Sequence, residues 1–164
     1  MKQTKIALRP IPAADAGVIA DILLNDSVKQ TYMVGDLSRE EAYQKALRIA
    51  SLSRGEDRYV RGIYTANRLV GFLNEVEITD SSIELGWVVA PAHQNNGYAT
   101  EAVRLAMDAL FAKGFSRIIA GAFSENAASM RVMEKNGMAR QEFTEPIEYR
   151  GMTHTCIYYA KSKP

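Results

Sequence analysis

The sequence predicts an α/β (α+β) domain in which seven strands and four helices follow the order β-α-α-β-β-β-α-β-α-β-β. Three observations carry this. Tight turns at Asn67-Arg68 and Asp80-Ser81 join three consecutive strand patterns as hairpins. A strand, a glycine-bearing loop, an amphipathic helix and a second apolar strand then run from Ile83 to Ala122 as a β-α-β crossover. A last hairpin turns at Tyr149-Arg150-Gly151. Hairpins combined with one crossover require a mixed sheet.

Each element has a local reason. Thr4 to Arg9 alternates as a first strand, and Pro10 and Pro12 stop it. Ala13 to Asn25 sets Val18, Ile19, Ile22 and Leu23 at helical spacing. Asp26 to Leu37 is polar and irregular, apart from Tyr32, Met33 and Val34, and reads as a connection. Ser38-Arg39-Glu40-Glu41 is a capping box opening a helix to about Ser53, with Tyr43, Ala46, Leu47 and Ala50 on one face. Strands follow over Arg58 to Thr65, Leu69 to Thr79 and Ile83 to Val89. The next helix repeats Ala99, Ala102, Val103, Ala106, Leu110 and Phe111 at i, i+3, i+4 spacing and ends at Gly114. Phe115 to Ala122 reads as a strand buried on both faces. Asn126 to Lys135 is a short helix closed by Asn136-Gly137, and Met138 to Glu148 with Met152 to Ala160 form the final hairpin.

Composition narrows the function classes. A chain of 164 residues suits one domain, read here as 1–164 without an internal boundary. Hydrophobic residues make up 47% and charged residues 24%, with 20 basic against 19 acidic side chains and a net charge of +1. No one-sided basic patch marks a nucleic-acid binder. No apolar run approaches the ~20 residues of a membrane span, and MKQTKIALRP lacks a secretory signal's apolar stretch. Cys156 is the only cysteine, which fits a reducing, cytoplasmic setting. No Cys/His/Asp cluster has metal-ligand spacing, so no metal is expected. Gly-x-Ser-x-Gly and a P-loop lysine are both absent, which argues against a serine hydrolase and an NTPase.

The most informative stretch is Glu84 to Ala102. An apolar strand ends at Pro91, a polar loop holds Gly97, and a helix begins. Such a junction aims backbone N–H groups and the positive end of a helix dipole at one point, which suits a phosphate or pyrophosphate. Gly97 and the small Ala99 allow close backbone approach. The spacing Gln94-x-x-Gly97-x-Ala99 resembles the pyrophosphate loop of the GNAT superfamily of N-acetyltransferases, Gln/Arg-x-x-Gly-x-Gly/Ala. A second segment, Asn126 to Met138, resembles that superfamily's Asn-x-x-Ser/Ala stretch ending in Lys-x-Gly-Phe. The element order matches along essentially the full chain.

The resemblance implies the GNAT fold, a mixed, mostly antiparallel seven-stranded sheet with helices on both faces. It implies acetyl-CoA as co-substrate, with pyrophosphate on the backbone amides of Asn95, Asn96, Gly97, Tyr98, Ala99 and Thr100 and with Gln94 among the cofactor-binding residues. Pantetheine would add to the backbone of Trp87, Val88 and Val89 like an extra strand and lie against Asn126. Met133 stands where many members carry a tyrosine acid, so that acid is excluded here. The RimJ/RimL-like branch also tends to lack the tyrosine, and there the serine matching Ser129 is the proposed acid or sulfur partner. The hairpin Glu145 to His154 resembles that branch too, and Glu148 matches its proposed general base. Glu84 is a second carboxylate candidate on the strand leading to the site, although an ordinary polar position on an alternating strand is the favoured explanation.

The expected activity is N-acetyl transfer to a primary amine, either a protein N-terminal α-amine or a small molecule. The expected partner is therefore an amine-bearing acceptor, with no nucleic acid and no membrane, on a monomer or homodimer. The alternative is a non-catalytic acyl-CoA-binding sensor or interaction domain with the same fold.

Overall fold

A computed structural model describes residues 6–164. In chain order the elements are β1 (Ala7–Arg9), α1 (Ala16–Leu24), α2 (Asp26–Thr31), α3 (Arg39–Arg54), β2 (Val60–Thr65), β3 (Arg68–Thr79), β4 (Ser82–Val89), α4 (Tyr98–Ala112), β5 (Arg117–Phe123), α5 (Ala127–Lys135), β6 (Ala139–Tyr149) and β7 (Met152–Ser162). Short 3-10 turns occupy Ala13–Asp15 and Pro91–His93. The strands form one sheet in the order β1-β2-β3-β4-β5-β7-β6. The β4–β5 ladder is parallel, and the β1–β2, β2–β3, β5–β7 and β6–β7 ladders are antiparallel. The mixed seven-stranded sheet is the one the sequence predicts. The expected start of β1 at Thr4 lies outside the described residues.

Three local readings need correction. The segment after Asn25 is helical as α2, because the Asn25 side chain accepts from the Ser27 and Val28 amides and caps it. Tyr43 is exposed rather than core: the buried stripe of α3 is Ala42, Ala46, Ala50 and Ser53. Strand β5 buries one face fully through Ile118, Ala120 and Ala122, while Arg117, Ile119 and Gly121 opposite them are half-buried. The capping box of α3 is present in full, with Ser38 and Glu41 bonded reciprocally.

The backbone divides into two compact units. The first holds residues up to Asn74 together with Trp87–Ala102, and the second holds Glu75–Gly86 with Val103–Pro164. In the first, Ile19, Ile22 and Leu23 of α1 and the alanine stripe of α3 belong to one core with Leu69 and Phe72 of β3. Small residues on α3 allow close helix approach at modest side-chain entropy cost. The Ile11 amide donates to the buried Ser53 hydroxyl, which donates onward to the Ala50 carbonyl. Val88 of β4 is part of the same core, and a Cβ on Gly71 would stand 2.2 Å from its carbonyl oxygen.

In the second unit, register decides which side chains share a face. Strand β4 pairs with β5 over Ser82–Leu85 and Arg117–Ala120, and that register stops four residues before β4 ends. β5 pairs with β7 from Arg117↔Ser162 to Phe123↔Cys156, and β6 pairs with β7 as a hairpin turning at Arg150 and Gly151, both at positive φ. Cross-strand partners point the same way. One face therefore carries Ile83, Leu85, Ile118, Ala120, Ile157 and Tyr159. Helix α5 lies on it, with the Tyr159 hydroxyl donating to Glu134 at 2.9 Å. The opposite face carries Glu84, Gly121, Phe123, Glu145, Ile147, His154, Cys156 and Tyr158.

Candidate active site

The loop from Gln94 to Thr100 is shaped by its own side chains. Strand β4 ends at Val89, and Pro91–His93 form one tight turn. The Gln94 side-chain amide then donates back to the Val89 carbonyl at 3.0 Å. Asn96 donates to the carbonyls of His93 and Gln94, both at 3.1 Å. These bonds hold Asn95 and Gly97 at positive φ, 64° and 77°. Left-handed residues in such a turn bend successive N–H groups into a concave cradle for an anion. Helix α4 begins at once, the Glu101 amide bonding to the Gly97 carbonyl, so its positive dipole end adds to the cradle. Gln94, expected among the cofactor contacts, serves through its side chain as a brace of the loop. Tyr98, Ala99 and Thr100 are half-buried in the first turn of α4; upstream, Val88 and Val89 are buried and Trp87 is half-buried.

The remaining expected residues fall in the second unit. Asn126 caps α5, its side-chain oxygen accepting from the Ser129 amide at 3.2 Å. Ser129 sits half-buried on the first turn of α5, and Met133 is fully buried on the same helix, where it offers no hydroxyl. Glu148 is exposed on β6, opposite Thr153 and next to the hairpin tip. By register it lies on the α5 face of the hairpin, away from Glu84.

Glu84 is in a different setting. It is half-buried, and its carboxyl is held above the ordinary carboxylate range, first by burial and then by the charges of Glu77 and Glu145. Like charges across a sheet are a standing cost. Tyr158 borders this group: its hydroxyl donates to Glu145 at 2.6 Å, and its ring lies so close to Gly121 that a Cβ there would meet Cε1 at 2.8 Å. Burial and the Glu145 bond push the Tyr158 hydroxyl well above its usual range, and burial raises the Cys156 thiol beside it. Above them on the same face, His154 stacks on Phe123 at 4.2 Å and meets Glu125 through Nδ1 at 2.5 Å.

Sequence reasoning gives Glu84 little weight and does not identify Glu77, Glu145 or Tyr158. A signal is present for one of them. Glu77 and Glu84 are equidistant from the Asp80-Ser81 turn, so an antiparallel hairpin sets them opposite each other. Among the described residues no group of His, Cys, Asp and Glu could hold a metal ion, and no helix is long and apolar enough to cross a membrane.

Residues 5–139 match the acetyltransferase (GNAT) domain model, and the chain belongs to that family. A Bacillus subtilis protein named "Probable N-acetyltransferase YjcK" is 34% identical over 113 residues, covering 65% of this chain and 59% of YjcK. The chain thus spans less than two thirds of that relative, and about half of another from the same organism. Among solved structures, a GNAT-family acetyltransferase from Bacillus anthracis superposes with a TM-score of 0.84 at 25% identity, covering 99% of this chain and 97% of its own. RimL, a ribosomal L7/L12 alpha-N-protein acetyltransferase solved with coenzyme A, shares the fold with a TM-score of 0.79 at 18% identity, covering 98% and 95%.

Proposed function

We propose that this chain is a cytoplasmic acetyl-CoA-dependent N-acetyltransferase of RimJ/RimL-like type. It acts on a primary amine, either a peptide N-terminal α-amine or a small-molecule amine. The observation that carries the reading is the braced cradle at Asn95 to Gly97, set where α4 begins and fitted to a pyrophosphate. Membership of the GNAT family and the fold shared with RimL, which acetylates a protein α-amine, support the acceptor class.

Transfer requires four things. The amine nitrogen attacks the thioester carbonyl carbon, an N–H donor holds the developing oxyanion, the ammonium proton leaves, and the thiolate departs. In this reading the backbone of Trp87, Val88 and Val89 receives the pantetheine and the thioester oxygen, and Asn126 lies beside the same arm. The Ser129 hydroxyl hydrogen-bonds the departing sulfur. The proton goes to a carboxylate, and Glu84 suits that role better than Glu148. Its raised affinity for protons brings it nearer the working pH, whereas Glu148 stands in open solvent on the hairpin. Three carboxylates on one face also favour a cationic acceptor arriving there.

Calorimetric titration with CoA and thiol release with an amine panel test the proposal together. Binding with release supports it. Binding without release on any amine identifies an acyl-CoA sensor, and no binding leaves an interaction domain that kept the fold.

A further inference from the structure

The second unit carries an aromatic feature that acetyl transfer alone does not explain. Phe143 is a large apolar side chain with 59% of its surface exposed. It belongs to an irregular stretch of β6, between Arg140 and Thr144, where the register with β7 shifts. Alternation along β6 puts it on the same face as Glu145, two residues on. The Thr144↔Ile157 register, continued by one residue, sets Phe143 opposite Tyr158, and the two rings lie flat on each other with centroids 4.8 Å apart and planes at 11°. Tyr158 is held from two sides: its hydroxyl donates to Glu145 and its ring abuts Gly121. Phe143 thus has one ring face on Tyr158 and the rest of its surface largely exposed. Next to this stack lie Glu145 and, with it, the charge neighbourhood of Glu84 and Glu77.

We propose that Phe143, backed by Tyr158, is a specificity-determining contact for the acceptor, selecting a primary amine carried on an aromatic body. The ring of the acceptor continues the Phe143–Tyr158 stack, and its ammonium group reaches the glutamates beside it. Charge complementarity fixes the amine end and the exposed ring fixes the body. This rests on the reading of the Glu84 face as the acceptor side. An aliphatic amine of similar length would keep the charge contact and lose the stack, which aromatic pairing values beyond simple area. Phe143 would then act on acceptor affinity and leave the chemical step to other groups.

The test is direct binding, so that it needs no turnover. The CoA-saturated protein is titrated by NMR with 2-phenylethylamine and, separately, with hexylamine, and both titrations are repeated without CoA. The parent should bind the aromatic amine about five-fold more tightly. Phe143→Ala should bring the two within about two-fold, while Glu84→Gln weakens both amines and keeps their ratio. Because Phe143 is mostly exposed, the variant should melt close to the parent. If it does not, intermolecular NOEs from the probe's ring to Phe143 and Tyr158 in the parent decide the matter. Equal affinities in the parent, a ratio unchanged in Phe143→Ala, or NOEs absent from both rings would overturn the proposal. Failure of the acetyltransferase reading shows separately, as absent CoA binding or absent acetyl product, and leaves these affinity ratios readable.

Discussion

The loop at Gln94 to Thr100 and the face around Glu84 are built by different means. The loop is made of backbone, bent by two left-handed residues and braced by two amides within a few positions. The face is made of side chains that five strands deliver to one side of a sheet. Backbone sites are local, so their residues are neighbours in sequence and their spacing can be read directly. Side-chain sites depend on register, and a shift of one residue would send every group to the other side.

The largest effect expected from this contrast lies at Glu84. Glu84→Gln keeps the shape and removes the basicity, so kcat on a good amine should fall by about 10²–10⁴. The deficit should narrow at high pH, where more amine arrives deprotonated. Glu148→Gln should stay within a few-fold of the parent. A reversed ranking in steady-state assays would move the proton acceptor to the hairpin.

The loop is the next point of leverage. Acetyl-CoA at ~100 times its dissociation constant should stabilise the parent by about 2.7 kcal/mol. Gly97→Val puts a β-branched residue at positive φ and crowds the cradle, so most of that gain should vanish from the melting curve. An unchanged ligand-induced shift would place the pyrophosphate elsewhere.

Asn126 separates a structural from a binding role. Asn126→Ala should lose about 1 kcal/mol from the missing cap, and Asn126→Asp should keep it. If the amide also lies against pantetheine, both variants should raise the KM for acetyl-CoA. An unaltered KM in both would leave Asn126 a cap alone.

The smallest effect is a pH dependence of stability. Because the Glu84 carboxyl is raised in the folded state, the fold binds that proton more tightly than the unfolded chain does. Stability from this group is therefore present at low pH and is lost as pH rises from the ordinary carboxylate range through the raised value. Glu84→Gln removes that loss, and should leave the protein slightly more stable than the parent at neutral pH, by a fraction of a kcal/mol given its partial exposure. Denaturant melts at pH 4 and pH 7.5 read the difference, and a parent more stable than the variant at pH 7.5 would contradict it.

The same contrast explains what can be read from the chain. The order of strands and helices, the Ser38 capping box and the Gly97 loop follow from local spacing. Helix α2 escapes such a reading because six residues show too little periodicity, and only the Asn25 cap announces it. Tyr43 misleads because small alanines, rather than the large residues, define the buried stripe of α3. Glu145 and Tyr158 stand 13 residues apart and meet only through the β6–β7 register. Phe143 meets Tyr158 through the same register, 15 residues away in sequence (158 − 143), so local spacing does not show the pair.

Transfer of an acetyl group from acetyl-CoA onto an amine can be read from the products themselves. Incubating the parent with acetyl-CoA and a mixed library of peptide N-termini, polyamines and arylalkylamines, with products read by mass, tests it most directly. At least one amine should carry a single acetyl group, formed in step with free CoA. CoA that binds tightly while every amine in the library stays unmodified would contradict it.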